Sequence, residues 1–410
     1  MISEIQIENF KSIANLSLKP GNVTVLIGEN GSGKSNLLEA IAFAAAASVD
    51  KLDDEFLYNR GIRVTDDEWM TSAFVDDGTI LTSEGEEASK LPISLRVSSA
   101  DSGRPLGMKI RRSRLELIRP FWRVSFDIEP EEIEEIAGSE EFAEEWQRTL
   151  RDHPEMNSEQ QELIRSVIAQ LSLSTKRRRE APGLSSSMAL RDFLIYAPEN
   201  TALRNFETEG AIKPLGIKGE GLLKLLSTSA ENGGKEFGQE LRGHLKLLGW
   251  FEDLLLPNED DELKGRLEIH DRWLADRKLA FDQRSANEGF LYLLFYFTLL
   301  LSKKTPAFFA IDNIDNSLNP KLCSQLMRQV AALAEKSGKQ VICTTHNPAI
   351  LDGLNLRDDR QRLYVIRRDS EGRTVATRVK APRPRADGGD PIPLSAAFMS
   401  GMLGGLPDHF

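Results

Sequence analysis

Apolar and polar positions alternate over residues 2–8, where Ile2, Ile5 and Ile7 stand among Ser, Glu and Gln, and then give way to a run, Val23 to Ile27, that is apolar but for Thr24 and stops at a glycine cluster. Alternation marks a strand with one wet face, so the first stretch reads as an antiparallel edge strand. A run without polar alternation marks a strand covered on both faces, so the second reads as a buried parallel strand. Asn36 to Ser48 (NLLEAIAFAAAAS) is dominated by Ala, Leu and Glu and predicts a helix. Residues 50–90 are acidic and broken by glycines, which predicts loop, and strand-like pieces return at Ile93 to Val97 and Phe121 to Phe126. From Glu129 to about Ser174 the chain turns to Glu, Gln, Ala and Leu at helical spacing. A basic run, Lys176 to Arg179, follows and reads as a solvated loop, with a binding patch as the alternative.

Further along, LIYAP (194–198) is strand-like, PLGIKGEGLL (214–223) is punctuated by glycine, and more helix is expected after it. From Phe281 helix and buried strand alternate again: an apolar helix from Phe290, then AFFAI (307–311), QVICT (340–344) and RLYVIRR (362–368). The pattern predicts an α/β chain with a mixed central sheet, assembled from residues 1–126 and 281–410, with a mainly helical subdomain inserted over 127–280.

Composition changes this picture little. A chain of 410 residues with 40% apolar content can bury a proper core. The net charge of -11 argues against a nucleic-acid binder that works by overall positive charge, leaving a local basic patch in a dimer cleft as the route to DNA. Cys323 and Cys343 fall in a predicted helix and a predicted buried strand; two cysteines make no disulfide framework, and a reducing cytoplasm fits. The opening MISEIQIENF lacks the basic and apolar regions of a signal peptide. The longest apolar stretch, Phe290 to Leu300, is too short to span a bilayer, so no membrane partner is expected.

The candidate chemistry begins at Gly28-Glu29-Asn30-Gly31-Ser32-Gly33-Lys34-Ser35, which matches G-x-x-x-x-G-K-[ST] and stands between a buried strand and the helix opened by Asn36. Glycines at 28, 31 and 33 let successive backbone amides turn inward, and the helix N-terminus adds its positive end to the same anion site. Lys34 is then expected to reach the β- and γ-phosphates of ATP, and the Ser35 hydroxyl to ligate Mg²⁺. Asp312 ends the strand AFFAI, where a carboxylate would hold a Mg²⁺-bound water. The next residue is Asn313. An amide can orient a water but cannot take its proton at neutral pH, so hydrolysis is expected to be slow or to borrow a base, with Glu288 and Asp315 as the alternatives.

His346 follows the strand VICTT and is placed to reach a γ-phosphate or its attacking water. Ser285-Ala286-Asn287-Glu288-Gly289 opens the long apolar helix and reads either as a helix cap or as an anion site for the nucleotide of a second subunit.

Taken in order, IENFKSI, GENGSGKS, SANEG before an apolar helix, AIDNIDNSLNP and TTHNP resemble the ABC-like P-loop NTPase heads of the SMC, RecF and overcoming-lysogenization-defect families. The resemblance covers residues 1 to about 45 and 281 to about 350. It implies a homodimer or higher homo-oligomer, a trans role for Asn287 and Gly289, an interface loop at Leu318 to Pro320, and the switch position for His346. The sequence departs from the family pattern at two points, with Asn287 in place of the signature serine and Asn313 in place of the catalytic glutamate. The glutamine loop has no clear counterpart; Arg60 or a residue near Phe74 could stand there. No acidic cluster after His346 matches a Toprim nuclease, and sustained heptads for coiled-coil arms are missing.

Similar stand-alone heads occur in antiphage defence systems, where the ATPase holds or releases a separate effector, a toxin or nuclease. That implies a nucleotide-gated regulator here. A RecF-type DNA-repair or DNA-clamping ATPase is the alternative, and a transporter subunit fits less well because of the long insert.

Overall fold

The computed structural model describes residues 1–65, 69–74, 91–100, 105–115, 118–126, 140–152, 161, 165, 189–205, 213–256, 267–276, 279–381 and 391–406. The strands are β1 (Ile2–Phe10), β2 (Ile13–Leu18), β3 (Val23–Ile27), β4 (Ile93–Ser99), β5 (Leu106–Leu115), β6 (Ile118–Phe126), β7 (Ile195–Tyr196), β8 (Phe251–Leu255), β9 (Glu268–Asp271), β10 (Phe308–Ile311), β11 (Gln340–Thr344), β12 (Gln361–Arg368) and β13 (Thr374–Val379). The helices are α1 (Lys34–Ser48), α2 (Asp54–Asn59), α3 (Glu140–Asp152), α4 (Asn200–Arg204), α5 (Leu222–Leu245), α6 (Glu288–Leu301), α7 (Pro320–Lys336) and α8 (Leu394–Met399), with a 3-10 helix at Pro348–Gly353.

A six-stranded mixed sheet runs β13-β12-β3-β11-β10-β7, parallel throughout except for the antiparallel β12–β13 pair. The mostly apolar β3 lies between two parallel neighbours, β11 and β12, and all five of its residues, Thr24 included, are buried. Its side chains serve both faces: Val23, Val25 and Ile27 join α6 and α7 in one core, while Leu26 joins α1 and β1 in the other. Helix α1 is therefore covered on both sides, and its run of buried alanines lets the two sheets approach it closely. A buried amide fastens the layers together, with Gln340 Nε2 donating to Ile2 O at 2.9 Å and Ile2 N donating to Gln340 Oε1 at 2.7 Å.

The second sheet, β2-β1-β4-β5-β6, is antiparallel. Here the expectation of an edge strand at residues 2–8 is corrected: β1 pairs with β2 on one side and β4 on the other. Its alternation reflects a sheet with one face on the core, which an interior antiparallel strand shows as readily as an edge one.

Within 127–280, residues 127–139, most of 153–188 and the basic run 176–179 lie outside the described residues. Helices α3 and α5 do occur there, but β7 does not belong to a separate helical body. It pairs in parallel with β10, and Tyr196 O accepts from Asp312 N at 2.8 Å. The β8–β9 hairpin adds a further strand pair that helical spacing did not predict. Cys323 and Cys343 are free and buried, and among the described residues no helix is long and apolar enough to cross a membrane.

Candidate functional site

The loop between β3 and α1 owes its shape to glycine. Gly28 (φ 151°) and Gly33 (φ 105°) adopt backbone that side chains disfavour, and a Cβ at Gly28 would lie 2.0 Å from Ile366 O. At Gly33 a Cβ would fall 2.1 Å from the Thr374 hydroxyl, which itself donates to Ser32 O at 3.0 Å. Ser12 completes this brace, with its hydroxyl 2.7 Å from that of Thr374 and 2.6 Å from Asn36 Nδ2. Arg368 holds the outer edge through Nε to Gly31 O at 3.0 Å, its guanidinium lying 5.2 Å from the Phe74 ring centroid.

The first intrahelical bond of α1 runs from Leu37 N to Gly33 O, so the amides of Lys34, Ser35 and Asn36 precede the helix ladder, and Gly33 supplies no side-chain cap. Ser32 Oγ is buried without a hydrogen-bond partner. Unpaired donors gathered at a helix N-terminus fit an anionic phosphate. Glu29 and Asn30 form the rim, where Glu29 O accepts from Ser32 N. Lys34 Nζ donates to Gly28 O at 2.8 Å and Glu29 O at 2.9 Å. Burial lowers its pKa, while Asp312 and Glu29 pull the other way, which places the Asp312 carboxylate in the same electrostatic neighbourhood.

Asp312 leaves the end of β10 and accepts from the hydroxyl of Thr344, at the end of the adjacent β11. The same hydroxyl accepts from Asn313 N at 2.8 Å. Asn313 has φ 53°, a left-handed conformation that asparagine tolerates better than most residues. Next door, Thr345 Oγ1 donates to Asp315 Oδ1 at 2.6 Å, occupying one oxygen of that alternative base. His346 follows, exposed, with its pKa lowered by partial burial and by Lys34 against the opposing pull of Asp315 and Asp312. Gly28, Lys34, Asp312, Asn313 and His346 thus converge at the ends of β3, β11 and β10.

Among the described residues no group of three or more His, Cys, Asp or Glu forms a metal cage. A Mg²⁺ held by one carboxylate, one hydroxyl and phosphate oxygens needs none.

No hydrogen bond among the described residues joins Asn287 or Gly289 to residues 28–36. The Asn287 side chain caps α6 by accepting from Phe290 N at 2.8 Å, as the cap reading expects, yet the residue is exposed and its amide NH₂ is not engaged by that bond. A Cβ at Gly289 would lie 3.3 Å from Ser317 O and 3.5 Å from Leu318 Cδ2, so the signature segment packs on the start of the Leu318–Pro320 loop. Glu288 begins α6 in this segment. Arg60 is turned inward, donating from Nη1 to Phe193 O at 2.7 Å, whereas Phe74 lies at the phosphate loop through Arg368.

Sequence reasoning gives no role to Thr344, Thr345, Ser12, Thr374 or Arg368, although all but Thr374 lie within segments it singles out. Two hydroxyls closing an apolar strand just before His346 were the available signal for the first pair; the others come from distant segments and left none.

The model of the family described as "AAA domain, putative AbiEii toxin, Type IV TA system" matches residues 23–352, most of the chain. The chain belongs to this family. Its fold resembles that of a crystallised Smc head bound to the C-terminal winged-helix domain of ScpA, with a TM-score of 0.50 and 15% identity over 92% of this chain and 98% of that one. Shorter stretches are similar to the chromosome partition protein Smc of Methanococcus voltae (41% identical over 69 residues) and the DNA replication and repair protein RecF of Rickettsia massiliae (50% over 42 residues). The matched stretches span 15% and 10% of this chain and only 6% and 12% of those proteins. This member of the AAA family has the α/β P-loop fold of an ABC-like head, as the Smc head has.

Proposed function

We propose that the chain is a nucleotide-gated regulatory ATPase whose two copies close around ATP and Mg²⁺ and thereby hold or release a separate effector protein, a toxin or nuclease, in antiphage defence. The observation that carries this reading is the phosphate cradle: unpaired amides at Lys34, Ser35 and Asn36, a partnerless Ser32 hydroxyl, and Lys34 beside Asp312. In this reading residues 28–36 grip the triphosphate and Ser35 with Asp312 holds Mg²⁺. His346 faces the γ-phosphate, and Asn313 positions water without taking its proton, so turnover is slow. Asn287 and Gly289 meet the phosphates bound by the other copy, which the exposed Asn287 amide supports. Residues 1–126 and 281–410, with β7, form the head, and the rest of 127–280 stands as its insert. The family description, naming a two-component toxin system, supports an effector partner.

Light scattering tests the gating. Addition of ATP and Mg²⁺ is expected to double the mass of the 45.8 kDa chain, and Lys34→Ala is expected to abolish the change; a wild-type mass indifferent to nucleotide refutes it. The RecF-like stretch favours a second reading, a DNA clamp. That reading requires ATP-dependent duplex binding that weakens steeply with salt, and no retention at low salt removes it.

A further inference from the structure

After β13 the chain returns to the nucleotide site from behind. Helix α8 docks on the 3-10 helix Pro348–Gly353, which directly follows the His346 loop: Ser395 N donates to Asp352 Oδ1 at 3.0 Å and Ser395 Oγ to Asp352 Oδ2 at 2.6 Å. Leu394 and Phe398 are buried in the same core as Ile350, Leu351, Ile27 and Val365, and Leu403 and Leu406 pack against it. Beyond α8 the backbone turns through Gly401, Gly404 and Gly405, all with positive φ.

Gly405 then lies against the phosphate loop itself. A Cβ there would come within 2.7 Å of Val365 Cγ1, which would have to shift, and would stand in ordinary van der Waals contact with Gly28 Cα at 3.4 Å. Gly28 is in turn pressed from the other side by Ile366 O. One segment thus touches the start of the phosphate loop and anchors the helix behind His346, the two loops that leave β3 and β11.

We infer that Leu394–Leu406 is a positioning strap for nucleotide binding: by fixing Gly28 at one end and the 3-10 helix at the other, it sets the spacing of the two loops that face the triphosphate. This rests on the nucleotide-site reading above. Because linkage is reciprocal, whatever strap docking adds to ATP affinity, ATP adds to strap docking.

The test uses the full-length protein. Hydrogen exchange of amides 400–406 is expected to slow about tenfold on saturation with ATP and Mg²⁺. Gly405→Val, which forces a β-branched side chain into positive φ and onto Val365, is expected to weaken ATP binding about tenfold by calorimetry. Ser395→Ala should weaken it less. Exchange at 400–406 that ignores ATP, or wild-type affinity in a folded Gly405→Val, overturns the strap while leaving ATP binding by the wild type intact. If Gly405→Val does not fold, the wild-type exchange measurement decides alone. A wild type that binds no ATP overturns both readings.

Discussion

Thr344→Val is the sharpest probe of how the metal side of the site is held. The two side chains are nearly isosteric, so the buried pocket is filled either way, but valine has no hydroxyl. In the wild type that hydroxyl, fully buried at 0% exposure, accepts from Asn313 N at 2.8 Å and donates to the Asp312 carboxylate. A hydrogen bond to a neutral amide contributes about 1 kcal/mol and one to a charged group about 1.5–3 kcal/mol, so the variant should lose roughly 2–4 kcal/mol of stability. The functional loss should be selective. The amides of residues 34–36 and Lys34 are untouched, so ATP affinity measured in EDTA should stay near the wild-type value. The extra affinity and turnover conferred by Mg²⁺ should fall, because Asp312 is free to rotate and Asn313, at φ 53°, has lost the bond that holds its backbone. Thr344→Ser keeps the hydroxyl and should recover most of both. Urea unfolding and calorimetry with and without Mg²⁺ supply the readouts. A Thr344→Val protein within about 0.5 kcal/mol of wild type and with full Mg²⁺ dependence would refute the reasoning.

Asn313→Glu should raise kcat by supplying a base, while left-handed backbone at this position should cost it about 1 kcal/mol of stability; a folded variant with unchanged turnover shows that the base comes from elsewhere. Lys339 is buried among Leu299 O, Ser302 O and the Thr305 hydroxyl, and burial pushes its pKa from 10.5 down to about 7. Between those values the unfolded chain binds a proton that the folded chain does not, so stability rises with pH across that window and is flat below it. Relative to Lys339→Met, which has nothing to titrate there, the wild type should gain about 1 kcal/mol per pH unit between pH 7 and pH 9 in urea unfolding. A pH-independent difference contradicts this.

The phosphate loop was legible in the sequence because everything that shapes it is local. A buried strand, three glycines and an alanine-rich helix follow one another within residues 23–48. The apolar runs of β10, β11 and α6 were legible for the same reason. What escaped depends on partners far along the chain. β1 is interior because β4, some ninety residues later, pairs with its free side, and no property of residues 2–10 announces that partner. β7 is only two residues long, too short for any periodicity, yet it supports the Asp312 backbone. Thr344 reaches Asp312 across 32 positions and Gly405 reaches Gly28 across the whole head. The glycines of the tail read as punctuation in the sequence; in the fold Gly401, Gly404 and Gly405 all take positive φ, and only at Gly405 would a Cβ meet a neighbour, the Val365 side chain. Asn287 shows the converse, since both readings of it coexist: its oxygen caps α6 and its exposed amide remains for other use.

Mixing two inactive variants tests the central claim that each phosphate loop is completed by a second copy. Lys34→Ala removes the cation from one loop, and Gly289→Asp places a carboxylate where phosphate is to be met, so each protein alone should turn over little ATP. If the sites are shared between copies, a mixed dimer retains one site with an intact Lys34 and an intact Gly289, and ATP turnover should reappear on mixing. Turnover that stays at the level of the separate variants, when light scattering shows that mixed dimers have formed, would contradict the account.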